Sequence, residues 1–119
     1  MNAISLILIS VLLGSLGQVI IKLGVLNISS KEDLTLCSLL LRYFLTPNVL
    51  IGLALYGLSA VFWVFALSKV ELSFAYPMVS LGYVIVMLFS YFYLGENINC
   101  LRMVGVFIIC IGIMIISKS

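Results

Sequence analysis

The sequence predicts an all-α membrane protein with four transmembrane helices and an interfacial helix between the first and the second. Of its 119 residues, 65% are hydrophobic and only 8% are charged, and the mean hydropathy is +1.38. Soluble domains carry about a quarter charged residues, so this chain lacks the polar surface that a water-soluble fold needs. The apolar residues form long continuous runs, which favours helices over barrel strands, where polar and apolar residues alternate.

Each of four apolar runs is long enough to cross the hydrocarbon core, which takes about 20 residues in a helix. The predicted spans cover about residues 3–26, 48–68, 72–94 and 101–117, within a single four-helix transmembrane domain over residues 1–119. The first run lacks the basic start and the cleavage site of a signal peptide, so we expect a retained span. Short connections at Lys69–Glu71 and Gly95–Asn99 predict that the second to fourth spans run antiparallel to one another.

The longer connection between the first two spans, Asn27–Pro47, predicts a further helix. Its segment Ser29–Asp33 is typical of a helix start. Apolar side chains follow at helical spacing, with Arg42 at their edge: Leu34, Leu36, Leu39, Leu40, Tyr43 and Phe44. We expect this helix to lie on the membrane surface and to end before Pro47, which is tolerated in the first turn of the second span.

Composition also excludes several classes of protein. The chain has no His, and Cys37, Cys100 and Cys110 lack the paired spacing of metal ligands, so no metal, cofactor or enzyme activity is predicted. A net charge of +2 is too small for a nucleic-acid-binding surface. The basic residues are nearly balanced between the two ends of the spans, which leaves the absolute topology open.

Lys22 is the one charged residue predicted to lie as much as a helical turn inside the end of a span. It follows Gln18, Gly14 and Ser10 at intervals of four residues, so the four share one stripe of the first helix. Ionisable side chains within a membrane are functional candidates because burying them in lipid is costly. Lys22 is therefore a candidate partner for a phosphate, although its side chain could equally snorkel to the headgroups.

Two further stripes carry hydroxyl and aromatic side chains. They comprise Gly52, Tyr56, Ser59 and Trp63 on the second span and Tyr76, Ser80, Tyr83, Met87 and Ser90 on the third. Such side chains suit a ligand with a sugar head and an apolar tail, because Tyr and Trp stack on sugars and donate hydrogen bonds. The predicted substrate-binding residues are Gln18, Lys22, Trp63, Tyr76, Ser80 and Tyr83. Packing between helices through small and hydroxyl residues is the alternative for each Ser and Gly.

Pro77 and two glycines complete the candidate functional residues. Pro77 removes one helical hydrogen bond from the third span, so we expect a kink there with the carbonyl of Ser73 released. Gly105 and Gly112 lie seven residues apart on one face of the fourth span, where another backbone can approach closely. They predict a dimer interface, or else packing within the chain.

These residues also carry a resemblance. The matching segments are Gly17-Gln18 followed by Lys22, Gly52–Leu55, Trp63, Ala75–Met78 with Ser80-Leu81, and Gly105 to Gly112. In them the chain resembles the small multidrug resistance and EamA-like branch of the drug/metabolite transporter superfamily, and within it the small subunits of the undecaprenyl-phosphate aminoarabinose flippase. The resemblance implies four helices and a two-chain assembly that moves a polyprenyl-phosphate-linked sugar across the cytoplasmic membrane.

One departure from the drug-exporting proteins of this branch is informative. Those proteins carry a carboxylate in the first helix that exchanges protons for cationic drugs. Alignment on Lys22 places Gly14 at that position, and no Asp or Glu lies within a predicted span. Proton-coupled cation export by that mechanism is therefore not expected. A neutral sugar head and an ammonium-bearing one are equally compatible with the spans.

The leading functional hypothesis is a membrane transporter subunit of the bacterial inner membrane that translocates an undecaprenyl-phosphate-linked monosaccharide of the aminoarabinose type. Transporters with alternating access commonly combine two repeats around a midplane site, and this chain supplies only one. A homodimer, or a heterodimer with a paralogue, is therefore expected. The alternatives are a small-multidrug-resistance-type exporter of a small amphipathic metabolite and a non-transporting membrane partner subunit.

Overall fold

The computed structural model describes residues 2–26 and 35–119, and these residues form helices joined by short turns, with no strand among them. Helices α4 and α5 together make one span, so four helical segments of 24, 21, 21 and 18 residues are long and apolar enough to cross a membrane. The predicted fold class is confirmed. The helices are α1 (Ala3–Leu26), α2 (Leu36–Leu45), α3 (Pro47–Leu67), α4 (Leu72–Met78), α5 (Leu81–Phe92) and α6 (Cys100–Ser117).

Helix α1 is the centre of the bundle, and its closest neighbour is α3. A Cβ atom added to Gly17 would lie 2.7 Å from the carbonyl oxygen of Gly52, and one added to Gly52 would lie 2.7 Å from the carbonyl oxygen of Gly17. Only glycine permits this approach of two backbones. Lipid gives helices no hydrophobic reason to associate, so close van der Waals contact of this kind is what holds them together.

Further contacts fix the antiparallel register of α1 and α3. The Ser10 hydroxyl donates a hydrogen bond of 2.7 Å to the carbonyl oxygen of Ser59. Towards the other end of α1, a Cβ atom on Gly24 would lie 2.9 Å from that of Asn48. Both serines are buried, and Ser59 donates to the Tyr56 carbonyl at 2.6 Å. The polar groups inside this helix pair are thus satisfied locally, as a membrane interior requires.

The apolar core lies near one end of the bundle, which we call the termini end because it holds the beginning of α1 and the end of α6. Its buried residues are Leu6, Ile7, Val11, Ala66, Ala75, Met78 and Ile113. We call the opposite end the far end. It holds the helix ends at Leu26, Pro47, Phe92 and Cys100. The tightest apolar packing therefore closes the termini end of the bundle.

Helix α2 confirms the helix predicted between the first two spans. It begins at Leu36, after Thr35 accepts a hydrogen bond from the Ser38 N–H at 3.4 Å, and none of its residues is buried. The predicted helix-start segment Ser29–Asp33 lies outside the described residues. The position of α2 on the membrane surface stays a prediction.

The third span is interrupted between α4 and α5. The N–H groups of Val79 and Ser80 donate to carbonyls only three residues earlier, at 3.1 and 3.0 Å, and so do those of Gly82 and Tyr83, at 2.9 and 3.0 Å. Hydrogen bonds of this spacing form a tighter 3₁₀-type turn. The interruption therefore follows Pro77, which lies inside α4. The predicted kink at Pro77, with the Ser73 carbonyl released, stays a prediction.

The third span also ends earlier than predicted, at Phe92 in place of residue 94. Gly95 has a φ of +67°, a left-handed conformation that glycine adopts without strain and that commonly ends helices. The fourth span begins one residue earlier than predicted, at Cys100, because the Asn99 side chain accepts the N–H of Arg102 at 2.9 Å and caps the helix.

Candidate functional site

A cavity of about 630 Å³ lies between the four spans, and five of the six predicted substrate-binding residues line it. Gln18 comes from α1, Trp63 from α3, Tyr76 from α4 and Tyr83 from α5, while Ser80 lies in the turn between α4 and α5. We call this space the midplane cavity, because some of its lining residues, such as Gly14 and Tyr56, lie near the centres of their spans. The structure thus brings together polar side chains that are far apart in sequence.

The stripe on α1 changes its role along the helix. Ser10 and Gly14 line one side of the cavity, but they also pack against α3, where the Ser59 Oγ would lie 3.3 Å from a Cβ atom on Gly14. Ser10 uses its hydroxyl for the bond to the Ser59 carbonyl. Gln18 is exposed, so its amide is the polar group of this stripe that is accessible to a ligand.

An aromatic pair forms the wall towards the termini end. The rings of Trp63 and Tyr76 lie edge to face, with centroids 6.5 Å apart and planes at 68°. Tyr76 is 65% exposed and Tyr83 is 47% exposed. Exposed rings that carry a hydroxyl or an indole N–H combine apolar contact area with hydrogen bonding. This wall can therefore offer both apolar contact and hydrogen bonds.

The interruption of the third span borders the same cavity. Pro77, Val79, Ser80 and Gly82 all contribute to its lining. Irregular backbone at membrane depth is tolerated where it is buried in protein or lines a cavity, and discontinuous helices commonly form the substrate sites of transporters. The interruption of the third span is therefore part of the cavity wall.

Several lining residues were not among the predicted site residues. Tyr56 and Ser59 line the cavity and belong to the stripe that contains Trp63. The signal for them was the helical spacing, with three residues from Tyr56 to Ser59 and four from Ser59 to Trp63. Ser15, Gly82 and Ile109 carried no comparable signal. Ser15 and Gly82 meet where α1 and α5 pack, with the Ser15 Oγ 2.6 Å from a Cβ atom placed on Gly82, and only the packing of the two helices reveals this.

Lys22 does not line the midplane cavity. It is exposed and lies one helical turn before Leu26, the last residue of α1. From this position its long apolar stem allows the ammonium to reach the headgroups at the far end. Its predicted role in holding a phosphate stays a prediction.

Gly105 and Gly112 lie on a face of α6 that the described part of the chain does not cover. A Cβ atom added to either would meet no other atom within 4 Å. Packing within the chain, the alternative for these glycines, therefore has no support from residues 2–26 and 35–119. Their role in a dimer interface stays a prediction.

The described residues contain no group of three or more His, Cys, Asp or Glu side chains close enough to hold a metal ion. The cysteines are free, with Cys37 and Cys100 exposed and Cys110 half-buried. The described helices also carry no Asp or Glu. The polar groups that line the midplane cavity are neutral hydroxyl, amide and aromatic groups.

Comparison with known proteins identifies the family of this bundle. Residues 1–118 match the EamA-like transporter family. The chain belongs to the EamA-like transporter family. It is 36% identical, over 93% of both chains, to the probable 4-amino-4-deoxy-L-arabinose-phosphoundecaprenol flippase subunit ArnF of Photorhabdus laumondii. No solved structure matches the chain.

Other EamA-like relatives agree with this assignment. The probable ArnF subunit of the same flippase in Shewanella sediminis is 34% identical, over 93% of this chain and 84% of the relative. The probable ArnE subunit of Proteus mirabilis is 32% identical, over 98% of both chains. The chain is therefore a membrane transporter subunit and a multi-pass protein of the bacterial inner membrane, and the resemblance found in its sequence is confirmed.

Proposed function

We propose that this EamA-like chain is one subunit of a flippase that moves a polyprenyl-phosphate-linked monosaccharide across the inner membrane, with the sugar held in the midplane cavity. The observation that carries the proposal is the lining of that cavity by Gln18, the Trp63–Tyr76 pair, Ser80 and Tyr83. The relatives named as flippase subunits support a lipid-linked sugar as the substrate.

The size of the cavity agrees with a head group and not with a whole lipid. About 630 Å³ lies within the range of about 300–1,000 Å³ that small-molecule sites occupy. A polyprenyl tail is far longer than this space and dissolves in the hydrocarbon core. The tail would therefore stay in the bilayer while only the polar head passes through the protein, a movement that breaks no covalent bond and needs no enzyme activity.

The proposed transporter contains two chains. Tyr56, Tyr76 and Tyr83 line the cavity while remaining exposed, which is the geometry of a site completed by a second subunit. Helix α6 offers the uncovered face of Gly105 and Gly112 for that contact. The relatives include both ArnE and ArnF subunits, which supports a heterodimer with a paralogue, and a homodimer is the other arrangement.

Reconstitution tests this proposal directly. The chain, alone and together with a paralogue from the same genome, is placed in proteoliposomes that contain an arabinosyl-phosphate prenyl lipid, and sugar heads are counted in each leaflet with a membrane-impermeant oxidant. We expect translocation by the pair or by the chain alone, and a loss of at least tenfold in Trp63→Ala. Phe65→Ala changes an aromatic residue of the same helix that is 58% exposed and does not line the cavity, and should have little effect.

Translocation by neither preparation would contradict the proposal and favour a non-transporting partner subunit. Equal losses in Trp63→Ala and Phe65→Ala would also contradict it, because the loss would then not depend on the cavity. Transport of small amphipathic cations without transport of the lipid would favour the exporter hypothesis.

A further inference from the structure

A second cavity, of about 290 Å³, lies next to the midplane cavity, on the side of the far end of the bundle. Tyr83 and Val86 of α5 line both spaces. The hydroxyl and aromatic stripe of the third span therefore lines both cavities. Tyr76 and Ser80 line the midplane cavity, and Ser90, near the end of α5, lines the second cavity. We call the second space the vestibule, because the two cavities adjoin along one face of α5.

The vestibule differs from the midplane cavity in carrying charge of both signs. Glu96 and Arg102 line it. Neither belongs to the middle of a span, since Glu96 lies in the turn between α5 and α6 and Arg102 in the first turn of α6. The cavity nearer the far end is therefore lined by a carboxylate-bearing and a guanidinium-bearing residue, whereas the polar groups of the midplane cavity are neutral.

The backbone fixes the position of Glu96. Gly95 turns the chain with a φ of +67°, and the N–H of Glu96 then donates to the carbonyl of Ser90 at 3.0 Å. This bond ties the residue to the last turn of α5. Glu96 is half-buried and lines the vestibule.

Arg102 is held in a similar way. Its backbone N–H donates to the Asn99 Oδ1 at 2.9 Å, and its Nη1 donates to the carbonyl of Asn97 at 3.3 Å. A guanidinium has five N–H donors in a planar fork, so the Asn97 bond orients the group while leaving donors for a ligand. Planar forks of this kind bind phosphate oxygens in pairs.

We propose that the vestibule selects lipids whose heads carry both a phosphate and a primary ammonium group, with Arg102 binding the phosphate and Glu96 binding the ammonium. This inference rests on the proposed function and assigns recognition of the amino-sugar head, which the names of the flippase relatives carry, to Glu96 and Arg102. Charge-assisted hydrogen bonds at both ends of the head favour such a lipid. A head with the phosphate alone leaves the Glu96 carboxylate without a partner and beside a negative charge, which selects against it.

The vestibule, and not Lys22, then supplies the first contact with the phosphate. Lys22 lies at the same far end but lines neither cavity. The ammonium preference also has a definite structural origin, because the spans carry no carboxylate and the choice is made by Glu96 before the sugar reaches the midplane.

The test compares two prenyl-phosphate lipids that differ in one group, an amine or a hydroxyl at the same carbon of the sugar. Both are offered to the transporter, with its paralogue where translocation requires one, in phosphatidylcholine proteoliposomes. We expect the amine lipid to move about tenfold faster than the hydroxyl lipid. Glu96→Gln should remove this preference by slowing the amine lipid alone, and Glu96→Asp should retain it.

Arg102→Gln should slow both lipids about equally, and Arg102→Lys should restore part of the rate. Matched controls lie at the termini end: Glu71→Gln, in the turn before α4, and Lys118→Gln, after α6, should leave both rates unchanged.

A wild-type protein that moves neither lipid contradicts the proposed function itself. A wild type that moves both lipids equally, or a preference that survives Glu96→Gln, overturns this inference and leaves the proposed function standing.

A final arm separates the amino-sugar lipid from ordinary membrane lipid, since phosphatidylethanolamine also carries a phosphate and a primary ammonium. It is added in excess to the same vesicles. We expect translocation of the amine lipid to fall less than twofold, because phosphatidylethanolamine lacks a sugar to contact Tyr83 and Trp63. Full competition would assign the vestibule to phospholipid heads and overturn the selection proposed here.

Discussion

Gly17 and Gly52 meet backbone to backbone at the centre of the α1–α3 pair, where a Cβ atom on either residue would lie 2.7 Å from the carbonyl oxygen of the other. This contact determines how closely the two helices pack. The midplane cavity opens beside it, between α1, α3 and the third span. The shape of the candidate site therefore depends on two residues that do not line it.

Alanine at either glycine should separate the helices. We expect Gly17→Ala and Gly52→Ala each to lower the free energy of unfolding by about 1–3 kcal/mol, the usual effect of inserting a methyl group into a closely packed contact. Gly57→Ala is the matched control, because a Cβ atom there meets nothing within 4 Å and alanine favours helix over glycine by about 0.5–1 kcal/mol. The free energy of unfolding of all three variants is measured in mixed micelles by adding a denaturing detergent. Equal stability of Gly17→Ala and Gly57→Ala would contradict the packing described.

Gln18 and Lys22 share a stripe of α1, but only Gln18 lines the midplane cavity. We expect Gln18→Leu to reduce translocation of a lipid-linked sugar at least tenfold, because it removes the exposed amide of that wall, and Lys22→Ala to reduce it less than twofold. The measurement is the initial rate of translocation by each variant in proteoliposomes that contain equal amounts of protein. The reverse order would restore Lys22 as the phosphate-binding residue predicted from the sequence.

The difference between these two residues shows what sequence alone could provide. The spans were predictable within a few residues because polar turns bound each apolar run: α1 begins and ends as predicted, and α3 is displaced by one residue. Spacing by three and four residues also identified the faces that meet. It could not show where along a face packing gives way to a cavity, because that depends on how closely the neighbouring helix approaches. Ser10 is used for packing and Gln18 is not, although both occupy the same stripe.

The turn after α5 was predictable as a turn, but not as part of a site. The sequence predicted the short connection Gly95–Asn99, whereas the bond from the Glu96 N–H to the Ser90 carbonyl depends on the left-handed conformation that Gly95 adopts. The 3₁₀-type turn in the third span was not predictable either. The expected kink at Pro77 followed from the hydrogen bond that the proline removes, whereas the tightening of the chain at Val79 and Ser80 is seen only in the structure.

Alanine at Gly95 provides a test of the turn that is separate from the charges. A residue with a Cβ atom in the left-handed conformation costs about 1–2 kcal/mol, and nothing lies within 4 Å of that position to add a steric effect. We expect Gly95→Ala to lower stability by that amount and Gly95→Asn by less, because asparagine tolerates the conformation better. Gly112→Ala, in open space within α6, is the control and should not destabilise the protein. No difference between Gly95→Ala and Gly112→Ala would contradict the positive φ.

The uncovered face of α6 leads to the last prediction. Because Gly105 and Gly112 have open space around them, leucine at both positions should leave the single chain folded while preventing a second backbone from approaching. We expect the double variant to shift from dimer to monomer in lipid bilayers, with its unfolding transition unchanged or slightly raised. Single-molecule photobleaching counts the chains in each vesicle, and Gly57→Leu, equally unhindered but on α3, is the control. A double variant that dimerises as fully as Gly57→Leu would exclude these glycines from the interface, and translocation by its monomers would show that one chain suffices.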